Sequence, residues 1–128
     1  MEVLKKYPDF HKVSVKEPSE FSYRGLRIVP RRRKVYAMEK EIHLTAREFA
    51  ILWLLVENRN IVLSYRQIYT HIWGEYDQKI ENNSIGSHIC SLRKKLYSAF
   101  DDPPFQIRTV REVGYCFELK GDETSKTV

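Results

Sequence analysis

Residues 84–119 read SIGSHICSLRKKLYSAFDDPPFQIRTVREVGYCFEL, and their pattern is the strongest indication of the fold. Its first half repeats apolar residues at the spacing of one helix face: Ile85, Ile89, Leu92 and Leu96. The residues 101–104 (DDPP) then end helical structure, and two apolar runs, 105–110 and 115–119, flank a turn at 111–114. The stretch therefore predicts a helix over 84–97, capped by Asn82 or Asn83, and a β-hairpin behind it.

Two capping boxes lie upstream, at Thr45-Ala46-Arg47-Glu48 and Ser64-Tyr65-Arg66-Gln67. The first predicts a helix over 46–57 that is apolar almost all round, which is typical of a central buried helix. The second predicts a helix over 65–73, with Gly74 as its stop. The second and third helices are close enough in sequence to form a helix-turn-helix with a longer turn.

Residues 21–44 alternate apolar and polar side chains in short runs, which predicts three antiparallel strands. Their turns fall at 30–33 and 39–40, so Met38 belongs to the second strand and Leu44 to the third. The run 61–63 either pairs as a strand or fills the core. The expected fold class is α+β: a winged helix-turn-helix with an N-terminal antiparallel sheet, three helices and a C-terminal β-hairpin wing.

The 128 residues predict one domain, 21–119, between a tail or linker at 1–20 and a polar tail at 120–128. A hydrophobic fraction of 42% argues against a disordered chain. No apolar run approaches the ~18 residues of a membrane span, and the first residues lack a secretory signal. Two cysteines form neither a disulfide framework nor a zinc pattern, so we expect a cytoplasmic protein without a membrane partner.

The net charge of +5 points weakly to nucleic acid. Residues 24–34 hold six of the cations and no acid, and without these six the chain carries a net charge of −1. We call residues 24–34 the N-terminal basic segment. It is either a solvated hairpin or a contact for a partner domain, a neighbouring subunit or flanking phosphates.

The predicted third helix carries small polar side chains opposite its apolar stripe, with basic residues on the flanks. Such a face suits a helix in the DNA major groove, because small side chains permit close approach and cations hold phosphates. The candidate DNA contacts there are Asn83, Ser84, Ser87, His88, Ser91, Arg93, Lys94 and Lys95. An ordinary solvated helix face is the alternative.

The hairpin supplies a second set of candidates, since an arginine at a hairpin tip can enter the minor groove. These are Arg108, Thr109, Arg111 and Tyr115. A solvated turn is the alternative, and Glu112 at the tip favours it.

Catalytic chemistry finds no support in the sequence. There is no nucleophile elbow, phosphate-binding glycine loop or zinc-protease motif. His88 and Cys90 are two apart and do not share a helix face, and neither His11 nor His71 has a second ligand at metal-binding spacing. We therefore expect no enzyme activity, no metal and no cofactor.

The chain resembles the DNA-binding effector domains of OmpR/PhoB-type response regulators. The resemblance rests on four blocks in the same order: Leu44-Thr45-x-x-Glu48-Phe49-x-x-Leu52-x-x-Leu55, Ser64-x-x-x-Ile68-x-x-x-Ile72-Trp73-Gly74, Ser84-Ile85-x-x-His88-Ile89-x-x-Leu92-Arg93-Lys94-Lys95-Leu96 and Ile107-Arg108-Thr109-Val110-Arg111-x-Val113-Gly114-Tyr115-x-Phe117. It implies a four-stranded N-terminal sheet and bacterial promoter regulation from direct-repeat double-stranded DNA, often as a tandem dimer. It also implies phosphate contacts from His88 and Arg93, a minor-groove contact from Arg111, and an RNA polymerase contact through loop 74–82.

The chain departs from the family at the base-reading surface. Asn83 stands where the family usually has arginine, Gly86 where it has aspartate, and Glu112 where the wing has its first glycine. The receiver domain that normally precedes this module is absent from the 128 residues, which fits an excised fragment or a stand-alone effector. We expect sequence-specific DNA binding for transcription regulation. The alternative is a protein-interaction module of the same fold that has lost specific DNA reading.

Overall fold

The structure is a computed structural model that describes residues 20–74 and 82–121, without the side chains of residues 82–84. The expected tail at 1–20, apart from its last residue, lies outside the described residues. So does most of the expected tail at 120–128. Within the described part, no helix is both long enough and apolar enough to cross a membrane.

Two antiparallel sheets enclose three helices, which confirms the expected fold class. The elements in chain order are β1 (Phe21–Tyr23), β2 (Leu26–Val29), β3 (Lys34–Ala37), β4 (Lys40–Ile42), α1 (Ala46–Glu57), β5 (Leu63–Ser64), α2 (Tyr65–Trp73), α3 (Asn82–Ser98), β6 (Phe105–Val110) and β7 (Gly114–Leu119). The first sheet has the order β1-β2-β3-β4 and the second the order β5-β7-β6.

The N-terminal sheet has four strands, so the three strands predicted from its pattern were wrong. Tyr23 pairs with Leu26, which leaves only Arg24 and Gly25 for the turn between β1 and β2. Both have positive φ, at 44° and 95°, as in the two-residue hairpin turns that match strand twist. The apolar residues change from odd positions, Phe21 and Tyr23, to even positions, Leu26 and Ile28, across this turn. Because only two residues separate the two runs, the pattern resembles one strand interrupted at Gly25.

The next hairpin turn lies one residue earlier than predicted. Met38 and Glu39 both have positive φ, at 50° and 71°. Met38 was expected in a strand, but it lies in this turn and its side chain is 64% exposed. Strand β4 accordingly begins at Lys40 and ends before Leu44, which packs against the core from outside the sheet.

The first two helices lie where their capping boxes predicted them. Thr45 Oγ1 accepts from the Glu48 N–H at 3.1 Å, and Glu48 Oε1 accepts from the Thr45 N–H at 2.9 Å. Ser64 and Gln67 form the same reciprocal pair at the start of α2. Helix α3 begins at Asn82, two residues before the predicted start, so the two asparagines lie within the helix rather than capping it.

The core is built around α1 and the apolar stripe of α3. The side chains of Ile85, Ile89, Leu92 and Leu96 are at most 1% exposed, as the sequence predicted. Behind them, the Phe105 and Phe117 rings of the hairpin stack at 5.3 Å. Helix α3 is therefore fixed on its inner side, and its opposite face is the part available to a partner.

Strand β5 joins the helical core to the hairpin. Leu63 pairs with Tyr115 and is buried, whereas Ile61 and Val62 are 57% and 36% exposed, so only the end of the run 61–63 forms a strand. A Cβ at Gly114 would lie 1.8 Å from the Leu63 carbonyl oxygen. Only glycine permits this approach, which places the hairpin directly beside α2 and α3.

Candidate nucleic-acid interface

The outward face of α3 carries Ser87, Cys90 and Lys94. They are spaced three and four residues apart, so they lie on one side of the helix, and all three are exposed. None has a hydrogen-bond, ion-pair or ring partner among the described residues. We call Ser87, Cys90 and Lys94 the outer face of α3. Beside it, His88 is half-buried and its ring lies 5.7 Å from the Trp73 ring of α2.

A second flank of α3 is bound to α1 through a buried carboxylate. The Lys95 Nζ donates to Glu48 Oε1 at 2.7 Å, and the Ser91 hydroxyl donates to Glu48 Oε2 at 2.6 Å. The Glu48 side chain is only 4% exposed, compared with 37% for Lys95. Both Ser91 and Lys95 were predicted DNA contacts, and here both are hydrogen-bonded inside the domain.

The pKa of Glu48 records how strongly this carboxylate is held in its charged form. Burial alone would raise the pKa, because it removes water from the carboxylate. The hydrogen bonds from Lys95, Ser91 and the Thr45 N–H, together with the Lys95 charge, outweigh that effect and lower the pKa to about 2. Glu48 is thus ionised at neutral pH.

A third flank of α3 is bound to the hairpin by Arg93. Its Nε and Nη2 donate to the Ile107 carbonyl oxygen at 3.0 and 2.6 Å, and Nη2 also donates to Thr109 Oγ1 at 2.7 Å. The guanidinium carbon lies 5.7 Å from the centre of the Tyr115 ring. Arg93 and Thr109 therefore fix the hairpin to α3.

The hairpin tip is exposed at Arg111, Glu112 and Val113. Glu112 adopts φ 66°, and the Val113 N–H closes the turn on the Val110 carbonyl oxygen at 2.9 Å. Arg111 has no hydrogen-bond or ion-pair partner in the described part of the chain. Lower on the hairpin, Arg108 Nε donates to Glu118 Oε2 at 2.9 Å, and Nη2 lies within ion-pair distance of the same oxygen, also at 2.9 Å. This contact raises the pKa of Arg108.

Tyr115 belongs to β7 of the hairpin, is part of the core and is only 7% exposed. Its ring meets the Tyr65 ring edge-on at 5.7 Å. Burial, with the nearby Tyr65, raises the pKa of the Tyr115 hydroxyl. The residue predicted to touch DNA here is therefore a packing residue between α2 and the hairpin.

The N-terminal basic segment lies on the first sheet, away from α3 in sequence, and most of its charges have partners. Arg27 lies within 3.6 Å of Glu20 and Glu39 and stacks over the Tyr36 ring at 4.4 Å. Lys34 pairs with Glu41 at 3.4 Å. Arg24 and Arg33 each lie over an aromatic ring, of Tyr23 and Phe49 respectively. Arg31 and Arg32 are exposed without such a partner among the described residues.

The predicted contacts thus fall into separate groups. Ser87, Lys94 and Arg111 are exposed and unpaired among the described residues, with His88 at their edge. Five others have hydrogen bonds inside the domain: Ser91, Arg93, Lys95, Arg108 and Thr109. The side chains of Asn83 and Ser84 lie outside the described residues, as does most of loop 74–82.

Sequence reasoning missed the wider role of Glu48. It predicted the capping bond to Thr45 but neither link to α3. A signal was present, since Glu48 is an acid near the start of a helix whose following residues are apolar on almost every side. Such an acid is buried with the rest of the helix and then requires a cationic partner.

The three helices, with a hairpin fixed beside the third, define a winged helix-turn-helix domain. The family model described as "Transcriptional regulatory protein, C terminal" matches residues 39–117, more than half of the chain. The chain belongs to this family, and its fold is that of OmpR/PhoB-type DNA-binding domains.

Relatives of known name agree with this assignment. Regulatory protein VanR of Enterococcus faecium is 36% identical over 115 residues, which cover 90% of this chain and 49% of VanR. The response regulator DrrB of Thermotoga maritima, an OmpR/PhoB homologue, superposes with a TM-score of 0.69 at 26% identity, covering 91% of this chain and 51% of DrrB. The DNA-binding domain of Klebsiella pneumoniae RstA, solved in complex with the RstA box, gives a TM-score of 0.67 at 27% identity, covering 79% of this chain and 98% of that domain.

Proposed function

We propose that this domain binds double-stranded DNA sequence-specifically to regulate transcription, with α3 in the major groove and the hairpin tip in the adjacent minor groove. A B-DNA major groove admits one α-helix, and its narrow minor groove attracts an inserted arginine. The outer face of α3 supplies Ser87 and Lys94, and the tip supplies Arg111. Asn83 and Ser84 belong to the same proposal through their position at the start of α3.

One observation carries the proposal: among the described side chains of α3, the exposed polar groups without a partner lie on the face opposite its buried stripe. Ser87 can donate to or accept from a base edge, and Lys94 can neutralise a phosphate. The Arg93 guanidinium donates to the Ile107 carbonyl oxygen and so holds the hairpin beside this face. The RstA domain, which shares the fold, was solved with its DNA box. The chain spans about half the length of VanR, so the activity of a complete regulator is also a proposal.

Selection of bound duplexes from random DNA tests this function. We expect one enriched sequence motif and a dissociation constant that rises steeply with salt, since phosphate contacts release counterions. A domain that enriches no motif, and forms no specific complex with genomic fragments at low salt, would contradict the proposal.

Cys90 allows a second test on the native protein. Its thiol is exposed on the outer face of α3, whereas Cys116 is 2% exposed and burial raises the pKa of its thiol. We expect iodoacetamide to alkylate Cys90 selectively and the selected duplex to protect it. Alkylation of Cys90 at the same rate with and without a saturating duplex would place DNA on another surface.

A protein-interaction module is the second candidate function. It is favoured by the internal bonding of Arg93, Lys95 and Arg108, which leaves few free cations near α3. It requires that Arg111→Ala leave the regulatory activity intact, and that Arg93→Ala, which also frees the hairpin from α3, affect activity only through the fold. Under the DNA-binding proposal, both substitutions reduce it.

Two partner assignments from the family resemblance remain part of the proposal. A tandem dimer would place two copies on direct-repeat DNA, and loop 74–82 would contact RNA polymerase. The enriched motif tests the first, because a direct repeat is expected within it. A location in the cytoplasm, where both partners are found, agrees with the two free cysteines.

A further inference from the structure

We infer that Ser91 and Lys95 are positioning residues, which set the placement of α3 through Glu48, and that Lys94 is the lysine of α3 that contacts DNA phosphate. The inference rests on the proposed function and refines it. It differs from the expectation based on the sequence, which gave the adjacent residues Lys94 and Lys95 the same role as DNA contacts.

The geometry separates the two lysines. Lys95 donates to Glu48 Oε1 and Ser91 to Glu48 Oε2, so each carboxylate oxygen holds one residue of α3. Ser91 and Lys95 are four residues apart, which is about one helical turn. Two attachments one turn apart restrict both rotation of α3 about its axis and sliding along it.

The carboxylate itself is fixed in place by α1. Glu48 Oε1 also accepts from the Thr45 N–H at 2.9 Å, which ties the side chain to the first turn of its own helix. The position of the Glu48 carboxylate is therefore set by α1 itself, independently of α3. The capping box at the start of α1 thus becomes a reference point for the orientation of α3.

Energetics favour leaving this arrangement intact on DNA. Moving Lys95 to a phosphate would leave the charge of a carboxylate that is 4% exposed without its cation. Breaking a buried pair in this way is strongly unfavourable. Lys94 is exposed with no partner among the described residues, so it can bind a phosphate without such a loss.

The two roles predict different binding signatures. A phosphate contact strengthens binding to every sequence and contributes about 0.9 to the slope of log K against log salt. A positioning residue contributes to the selected sequence, because base contacts depend on the orientation of α3, and leaves that slope unchanged. A residue important only for stability changes neither once the protein is folded.

The matched variants Lys94→Gln and Lys95→Gln test this directly. Each removes one charge at adjacent positions of the same helix. Dissociation constants are measured across a salt series on two duplexes, the one selected from random DNA and a scrambled one of equal length and composition. The temperature is kept well below the unfolding transition of each variant.

We expect Lys94→Gln to weaken both complexes and to lower the salt slope by about 1. We expect Lys95→Gln to weaken the selected complex about tenfold, while the scrambled complex and both slopes keep their wild-type values. A slope lowered by Lys95→Gln overturns the inference, and so does wild-type affinity for both duplexes.

A double-mutant cycle with Glu48→Gln tests whether Lys95 acts through Glu48. Gln keeps the shape of Glu48 and the capping acceptor for the Thr45 N–H, but removes the charge that holds Lys95. If Lys95 acts through Glu48, the double variant binds the selected duplex about as well as Glu48→Gln alone. Multiplied losses would show that Lys95 contacts DNA independently.

The two levels of the proposal fail in different ways. A wild-type domain without preference for its selected duplex overturns the proposed function and, with it, this inference. A clear wild-type preference, combined with equal behaviour of the two lysine variants, overturns only the positioning role. Ser91→Ala supplies an independent variant, since it removes the bond to Oε2 without changing any charge, and we expect it to affect only the selected duplex.

Discussion

The N-terminal basic segment and the surface around α3 use their charges differently. The segment holds six cations in eleven residues, and four of them are neutralised by nearby acids or lie over aromatic rings. Around α3 the cations are fewer. There, Lys95 pairs with the buried Glu48 carboxylate, whereas Lys94 and Arg111 have no hydrogen-bond or ion-pair partner among the described residues.

The difference shows that density of charge in the sequence does not measure how many cations the fold leaves without a partner. Ion pairs at an exposed sheet surface contribute little to stability, and their cations are screened by neighbouring acids. A cation held away from any acid, on a helix whose orientation is fixed, is worth more to a partner.

The largest effect on stability is expected at the buried Glu48 carboxylate. Glu48 has an ordinary pKa of 4.5 and a folded pKa of about 2. Because the folded value is the lower one, the stabilisation is complete above pH 4.5 and is lost as the pH falls toward 2. It amounts to about 3 kcal/mol. We expect urea denaturation to show that the stability difference between wild type and Glu48→Gln shrinks across this range, and a constant difference would contradict the assignment.

The hairpin tip provides the second contrast. We expect Arg111→Ala to weaken binding to the selected duplex by about 1–3 kcal/mol, since the free arginine is proposed to enter the minor groove. Arg32→Ala is the matched control, because it removes an equally exposed arginine from the N-terminal basic segment. Fluorescence anisotropy titrations at one salt concentration measure both. Equal losses would mean that the N-terminal sheet also lies on DNA.

Gly86 tests how far the helical sequence of α3 itself limits the stability of the domain. Among the described residues, a Cβ there would meet only the Tyr115 hydroxyl oxygen, at 3.8 Å, which is an ordinary contact. We expect Gly86→Ala to stabilise the domain by about 0.5–1 kcal/mol, because alanine loses less backbone entropy in a helix. Thermal unfolding followed by circular dichroism checks this. A lower melting temperature would show that α3 and Tyr115 pack more closely than described.

The smallest effect is expected in the N-terminal basic segment itself. Lys34 and Glu41 pair at 3.4 Å with both side chains about one-third exposed. We expect Glu41→Gln to change the free energy of unfolding by less than about 0.5 kcal/mol at neutral pH. The urea series used for Glu48→Gln gives the comparison. A change as large as that of Glu48→Gln would remove the distinction between the two regions.

Local sequence signals predicted most of the fold. The capping boxes placed α1 and α2, and the spacing of four apolar residues identified the buried side of α3. The missing strand has a specific cause, since only Arg24 and Gly25 separate β1 from β2, and so short a break resembles an irregularity within one strand. The start of α3 was misplaced because Asn82 and Asn83 are common capping residues that here continue the helix.

The site was harder to predict, because several of its side chains form hydrogen bonds with residues that are distant in sequence. A helical projection correctly placed Ser87 and Lys94 on an exposed face. It could not show that Ser91 reaches a carboxylate 43 residues away, or that Arg93 reaches the hairpin. Both contacts depend on how α3 sits against α1 and β6, which periodicity within one element does not determine.

The bond from the Tyr23 hydroxyl to the Lys120 carbonyl oxygen, at 2.5 Å, joins the first strand to the end of the last. Arg24 packs beside Gly121 at the same place. The two ends of the described domain therefore meet on one side, as they do in many domains that tolerate circular permutation. A fusion, a surface tether or a permuted connection can be built through this junction, and a pulling force applied there loads β1, an edge strand, and β7, a central strand, before it reaches α3.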